Sequence, residues 1–394
     1  MRNCKVAYLV THPIQYQAPL LRRIAAEPDI HLKVFFASDV SLRSFVDPGF
    51  NRPIRWDVPL LEGYEYEFLP AFAGKRQISF YQPMNYGLSA RLKAAHFDAL
   101  WVHGYMRWHH WTAMVTARRL GMKVLVRDEA TLLSSMRSAL KRSLKRAFFA
   151  CLRRIADRFL AIGSLNASYY RQYDVPDARI FMMPYAVDNH FFQTRAGQCA
   201  KARGALRASL ELDPSRPVIL YAGKLSERKR PDDLLKAYIQ LSADGRTEPH
   251  PYLIFVGDGA LRGALEIRAS ATGWSSIRFA GFRNQTELPA FYDLAEVFVL
   301  PSALEPWGLV VNEVMNAGCA VIASDRTGCS PDLIRDGENG FVFKTGDISD
   351  LCRTLREVLT SRVRCADMGR RSLEIINRWS FEEDVQGLRA ALGL

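Results

Sequence analysis

The sequence predicts an α/β protein built from two doubly wound, Rossmann-like domains facing a central cleft. Three observations carry that prediction. Short apolar runs alternate with helical stretches along most of the chain. At 394 residues the chain exceeds one ordinary core and fits two. The composition shifts between Met183 and Gly197, where a linker is expected. The expected domains are residues 1–190 and 191–375, followed by an amphipathic segment, 376–394.

In the first half the expected strands are Val6–Val10, Leu32–Ala37, Ala99–His103, Lys123–Arg127 and Phe159–Ile162. Helices are expected at Ala18–Glu27 and Trp111–Leu120. Continuous apolar runs of this length suit parallel strands covered on both faces. Residues 38–85 break the rhythm; rich in Pro, Gly and aromatics, they read as loops and an extended excursion beside the cleft. The second half repeats the pattern with strands at Pro217–Ala222, Pro251–Val256, Ile277–Phe279, Val297–Leu300 and Ala320–Ala323. Ligands are expected at the C-terminal ends of the strands.

A hydrophobic content of 48% with 24% charged residues describes a globular protein. No run of eighteen apolar residues exists to span a membrane. Val6–Val10 precedes Thr11-His12-Pro13 and reads as a first strand, not a signal peptide, so a cytoplasmic location is expected. Seven scattered cysteines without C-x-x-C argue against disulfides and zinc, and no metal site is expected. The net charge of +12 is uneven: residues 1–190 hold 27 Lys and Arg against 15 Asp and Glu, while residues 191–394 hold 26 of each. The first half is therefore expected to meet an anionic partner.

The most informative stretch is Pro301–Phe343. Glu305 lies in a loop between Pro301 and Pro306, and Glu313 on a short helix expected from near Trp307 to Gly318. A strand–loop–helix–strand unit of this kind aims both carboxylates at one small volume. The helix start also offers the backbone N–H groups of Gly308, Leu309 and Val310 to a phosphate or to sugar hydroxyls. Upstream, the strand ending in Ala222 runs into Gly223, Lys224 and then Lys229. Glycine permits close backbone approach, and two cations at a strand end suit a diphosphate. Gly257-Asp258-Gly259 and Gly281-Phe282-Arg283 are further turns at strand ends.

Taken together, Glu305-Pro306-Trp307-Gly308-Leu309 followed by Glu313 resembles the signature of the family-four retaining glycosyltransferases of the GT-B fold. Val314 departs from the more usual Ala and should affect only packing. Gly223-Lys224-Leu225 with Lys229 resembles that family's diphosphate clamp, with Lys224 where Arg is commoner; Lys is a point charge rather than a bidentate fork. Gly257 and Gly259 resemble its nucleotide loop, and Phe282 and Arg283 its turn against the nucleobase. The resemblance implies a nucleotide-diphosphate sugar donor on the second domain, with Glu313 on the ribose. Glu305 would be on the sugar, stabilising positive charge at the anomeric carbon. Lys224 and Lys229 would stabilise the leaving diphosphate in place of a metal ion, so no cofactor is expected. It also implies front-face attack with retention, and a last helix, 376–394, that crosses back to the first domain.

On the acceptor side the resemblance is one of pattern only. Thr11-His12-Pro13-Ile14-Gln15-Tyr16 lacks the glycine-rich loop common in the family, so that loop's diphosphate contact is not carried over. His12 and Gln15 are candidates for ligand contact, a structural role for His12 being the alternative. His103 and Arg127 end strands that should face the cleft. Asp128 and Glu129 are candidates for orienting an acceptor hydroxyl or, equally, for capping the next helix. His109, His110 and Trp108 are expected to pack at a helix start.

A helix is expected across Ser134–Arg158, with Met136, Leu140, Leu144, Phe148, Leu152, Ile155 and Phe159 on one apolar face. Eight cations, among them Arg137, Lys141, Lys145 and Arg146, cover the rest against the single acid Asp157. A core helix with a solvated basic face is one reading; docking on anionic lipid is the other. Aromatic residues do not interleave with the run, so no nucleic-acid partner is expected.

The function expected is transfer of a sugar from a nucleotide-diphosphate sugar to a hydroxyl, in a lipid-linked oligosaccharide of surface polysaccharide assembly, at the inner face of the cell membrane. The alternatives are a nucleotide-sugar epimerase or hydrolase of the same fold, and a non-catalytic binder of polyanions or lipid.

Overall fold

The structure, a computed structural model, describes residues 3–47, 49–50, 52–73, 78–134, 139–243 and 250–394. The chain divides into two units: Met1–Phe45 with Val58–Val187 and Ser380–Leu394, and Val46–Asp57 with Asp188–Trp379. The strands of the first half are β1 (Cys4–Val10), β2 (Ile30–Phe36), β3 (Phe45–Asp47), β4 (Arg52–Ile54), β5 (Glu65–Phe68), β6 (Ala99–His103), β7 (Lys123–Arg127), β8 (Arg158–Ala161) and β9 (Ile180–Met182). Those of the second are β10 (Val218–Ala222), β11 (Tyr252–Val256), β12 (Ile277–Gly281), β13 (Val297–Leu300), β14 (Ala320–Ser324) and β15 (Gly340–Phe343).

The first unit holds a seven-stranded sheet in the order β5-β2-β1-β6-β7-β8-β9. Its ladders are parallel; Val6 pairs with Leu32 on one side and Ala99 on the other. Val6 to Val10 are buried throughout, as strands covered on both faces require. One face packs under the helices Trp108–Arg119 and Ala139–Ile155, through Met114, Phe149 and Leu152. The other packs under the helix Gln17–Ala25 and under the last helix, Phe381–Leu392, which contributes Val385, Leu388, Ala391 and Leu392.

That last helix is held by specific chemistry. Ser380 and Glu383 form a capping box at its start. Gly387 lies so close to β9 that a Cβ there would sit 1.9 Å from the Met182 carbonyl oxygen. Arg389 makes a two-pronged pair with Asp29 at 2.6 and 2.7 Å. Arg127 reaches Asp384 at 2.8 Å with both side chains almost wholly buried.

The second unit holds a six-stranded parallel sheet in the order β12-β11-β10-β13-β14-β15. All five residues of β10, β11 and β14 are buried. β3 and β4 form a small separate ladder. Part of the 38–85 excursion, Val46–Asp57, belongs to the second unit. It docks through Phe50 and Arg52 on Phe282, and through the Arg55 carbonyl, which accepts from Asn284 at 2.7 Å.

Candidate functional site

In the second unit, three strand ends build a shelf of bare backbone. Gly223 N–H donates to the Val256 carbonyl at 2.9 Å, and Gly257 N–H to Gly281 at 2.8 Å. Gly257 has φ +142°, and a Cβ there would lie 1.9 Å from the Gly223 oxygen. Only glycine lets β10 and β11 end this closely. Phe282 is covered by the Phe50 ring at 5.1 Å and by the Arg52 guanidinium at 4.9 Å. Arg283 pairs with Glu287 at 3.1 Å.

Beyond Gly223 the chain turns through a 3-10 segment, Glu227–Lys229, before the helix Pro231–Ala243. The Arg228 carbonyl accepts from Ala303 N–H at 2.8 Å, which laces this turn to the loop after β13. That lacing places the Lys229 ammonium against the Glu305 carboxylate as an ion pair, the two side chains 14% and 13% exposed. Ser302 Oγ donates to the same carboxylate oxygen at 3.5 Å. Lys224 does not join this pair: its ammonium lies 5.0 Å from the centre of the Phe50 ring.

The residues between the two glutamates are scaffold. Glu305 N–H donates to Arg326 at 3.0 Å, and Gly328 N–H donates back to Glu305 at 2.9 Å. Trp307 is 3% exposed, donates its indole N–H to Asn312 at 2.9 Å and stacks on Trp379. The helix is Leu309–Met315, starting later than the expected Trp307 because Gly308 adopts φ +103°. Glu313 is partly buried and accepts a hydrogen bond from the Tyr292 hydroxyl at 2.6 Å. Burial pushes its carboxyl up from 4.5 to about 7. Tyr292 was not legible as a partner from sequence.

In the first unit the ends of β1, β6 and β7 gather a polar network. Tyr8 donates to Gln17 at 3.0 Å, and the Gln17 amide lies 3.3 Å from His103 Nε2. The Tyr185 hydroxyl lies 3.2 Å from the same nitrogen and donates to Glu129 at 2.6 Å; Tyr16 also donates to Glu129, at 3.3 Å. Burial, helped by nearby Arg127, pushes the His103 imidazole down to about 3, so the ring is neutral at physiological pH. His12 is pushed down to about 4, first by burial and then by Arg107. Gln15 is half-buried near the same strand end.

Arg127 stands differently from the expected ligand contact. It is 1% exposed, donates to the Met183 and Pro184 carbonyls and to Asp384, and lies over the Tyr185 ring. It therefore ties the last helix to the sheet. His109 and His110 are buried, but Trp108 is 55% exposed, against the expectation that it packs. The helix Ala139–Ile155 buries Phe149 and Leu152, yet leaves Leu140 70% and Leu144 63% exposed beside Lys141, Arg142 and Arg146. The apolar face expected across the whole helix is thus covered only toward its C-terminal end. Arg137 and Met136 lie outside the described residues. Among the described residues no helix is long and apolar enough to cross a membrane.

Residues 202–374 match the family model described as glycosyl transferases group 1. A sulfoquinovosyl transferase of Arabidopsis thaliana is 31% identical over 180 residues, 45% of this chain and 33% of that protein. A lipopolysaccharide core biosynthesis glycosyltransferase of Rhizobium meliloti (strain 1021) is 33% identical over 172 residues, 42% of this chain and 47% of that protein. The alignments therefore span less than half the length of these two relatives. Among solved structures, Anabaena HepE in complex with UDP superposes with a TM-score of 0.73 at 17% identity, covering 99% of both chains. WaaG, a glycosyltransferase involved in lipopolysaccharide biosynthesis, gives 0.67 at 16% identity over 98% of both. Residues 202–374 thus resemble the glycosyl transferases group 1, and the two parallel sheets have the GT-B fold.

Proposed function

We propose that this protein is a retaining glycosyltransferase. It moves a sugar from a nucleotide-diphosphate sugar to a hydroxyl of a lipid-linked acceptor in surface polysaccharide assembly. The observation that carries the reading is the Lys229–Glu305 ion pair, formed between the turn that follows the Gly223 strand end and the loop that leads into the Glu313 helix. The donor's diphosphate lies by Lys224 and Lys229, whose charges offset that of the leaving group in the role a metal ion would otherwise fill. Glu305 holds sugar hydroxyls and stabilises the cationic anomeric carbon. Glu313, when ionised, accepts from the ribose hydroxyls. The acceptor oxygen attacks from the face the diphosphate leaves, and its proton passes to the departing phosphate oxygen.

Similar proteins support the donor class: the Anabaena structures are described with UDP and with UDP-glucose. They also support a lipid or surface glycan setting, since one relative is a lipopolysaccharide core enzyme. The exposed Leu140 and Leu144 among lysines and arginines fit a helix lying on the anionic inner face of a membrane.

The test is release of nucleoside diphosphate from nucleotide sugars, with and without membrane-lipid extracts. The reading predicts release that depends on acceptor, falls at least about a hundredfold in Glu305→Ala, and gives a product with the donor's anomeric configuration. Acceptor-independent turnover, or turnover unchanged in Glu305→Ala, would count against it.

A further inference from the structure

The first unit contains a pocket of about 480 Å³ lined by Tyr105, Asp128, Lys141, Leu144, Lys145 and Phe148, with Met106, Ala130 and Tyr169. Its size falls in the range of small-molecule sites. No spacing in the sequence brings these residues together: Asp128 follows β7, Tyr105 follows β6, and the lysines sit on the helix Ala139–Ile155.

The chemistry of the lining is specific. Tyr105 and Tyr169 are each 1% exposed, and with Phe148 they make aromatic walls. The Tyr105 hydroxyl lies beside the Asp128 carboxyl, yet has no hydrogen bond of good geometry among the described residues. Asp128 has one oxygen on the Ala130 N–H at 2.8 Å. The Lys145 ammonium lies 4.8 Å from the ring centres of both Tyr105 and Phe148, and Lys141 stands one turn earlier on the same helix. At the rim, Met106 and Leu144 are 56% and 63% exposed. The pocket therefore combines aromatic walls, a hydroxyl and a carboxyl, and two cations, Lys145 lying over the Tyr105 and Phe148 rings and Lys141 exposed.

An alkyl chain alone would leave Asp128 and the Tyr105 hydroxyl buried against hydrocarbon, which is costly. An anion alone would meet the Asp128 carboxyl. A sugar ring uses both features: its C–H face lies on the aromatic surface that Lys145 leaves uncovered, and its hydroxyls meet Asp128 and Tyr105. A phosphate on that ring reaches the lysines. We propose that this pocket binds a sugar phosphate, with ring hydroxyls on Asp128 and Tyr105 and the phosphate on Lys141 and Lys145. The same chemistry occurs in a free sugar phosphate and in a phosphate-linked glycolipid headgroup. As the head-binding subsite of an acceptor, it rests on the transferase reading; as a binding site, it does not.

The experiment is calorimetric titration of the full chain with glucose 1-phosphate, and with methyl glucoside and inorganic phosphate separately. Parallel arms use phosphatidylcholine vesicles carrying phosphatidylinositol or phosphatidylglycerol. Saturable binding of glucose 1-phosphate is expected, tighter than either fragment, and weakened about tenfold by Tyr105→Phe and by Lys145→Gln. Tyr105→Phe removes one oxygen from a well-packed ring, and an unchanged melting temperature shows that its fold is kept. A preference for phosphatidylinositol vesicles that Tyr105→Phe abolishes assigns the ligand to a lipid headgroup. Binding of the soluble probe alone assigns it to a free sugar phosphate. No binding of any probe overturns the proposal. So does binding of glucose 1-phosphate that is no tighter than that of inorganic phosphate, or that survives both Tyr105→Phe and Asp128→Asn. The thermal shift with nucleoside diphosphates, run on the same samples, reports the donor site separately, so the failure of one reading is told from the failure of the other.

Discussion

Replacing Glu313 with Gln should stabilise the protein at alkaline pH while weakening its grip on nucleotide. Burial raises the Glu313 carboxyl from 4.5 to about 7. Between those values the folded protein keeps a proton that the unfolded chain releases. Stability tied to this group is therefore fully present below pH 4.5 and is lost as pH rises through about 7. The rise is worth about 3 kcal/mol. Glutamine is neutral at every pH and keeps an oxygen for the Tyr292 hydroxyl, which donates to Glu313 at 2.6 Å. Allowing for burial of the new amide, Glu313→Gln should gain about 2 kcal/mol at pH 8 and almost nothing at pH 4.5. For a unit of this size that is a rise in melting temperature of about 4–8 °C. Thermal melts of both proteins across that pH range read it directly, and nucleotide titrations at pH 8 should show the variant binding less tightly. A gain of the same size at both pH values, or a loss at pH 8, would refute the reasoning.

Other substitutions probe other joints. Arg127→Met strands Asp384 in the core and loosens the last helix; it should cost about 3 kcal/mol or more, seen as a lower urea midpoint. Gly257→Ala places a methyl group against the Gly223 oxygen and should abolish nucleotide-induced stabilisation, while Gly263→Ala, whose Cβ meets nothing within 4 Å, should not. Replacing Lys141, Arg142, Lys145 and Arg146 with Gln should reduce sedimentation with anionic vesicles, and the deficit should shrink as salt rises, since Coulombic attraction to lipid is screened.

The sheets were legible because each strand is a continuous apolar run, and such runs have few other uses in a globular chain. Gly223, Gly257 and Glu305 were legible for a different reason: glycine and charge at the end of a buried strand have little structural purpose of their own. The tyrosines were not. Tyr185 reaches Glu129 across 56 positions and Tyr292 reaches Glu313 across 21, and no periodicity encodes such pairings. Arg127 misled because a strand-end cation reads as a ligand contact, while its partner Asp384 lies 257 positions away. The stripe through Leu140, Leu144 and Phe148 shows the limit of helical periodicity. It tells which residues share a face, and the tertiary structure decides how much of that face is covered.

The central claim is that the second unit binds a nucleotide-diphosphate sugar through Lys229, Lys224 and Glu313. Its most direct test is a thermal-shift titration of uridine, guanosine, adenosine and thymidine diphosphates against the wild type and Lys229→Ala. At least one diphosphate should raise the melting temperature of the wild type, and the rise should disappear in the variant. Absence of any shift in the wild type, or an equal shift in both proteins, would contradict it.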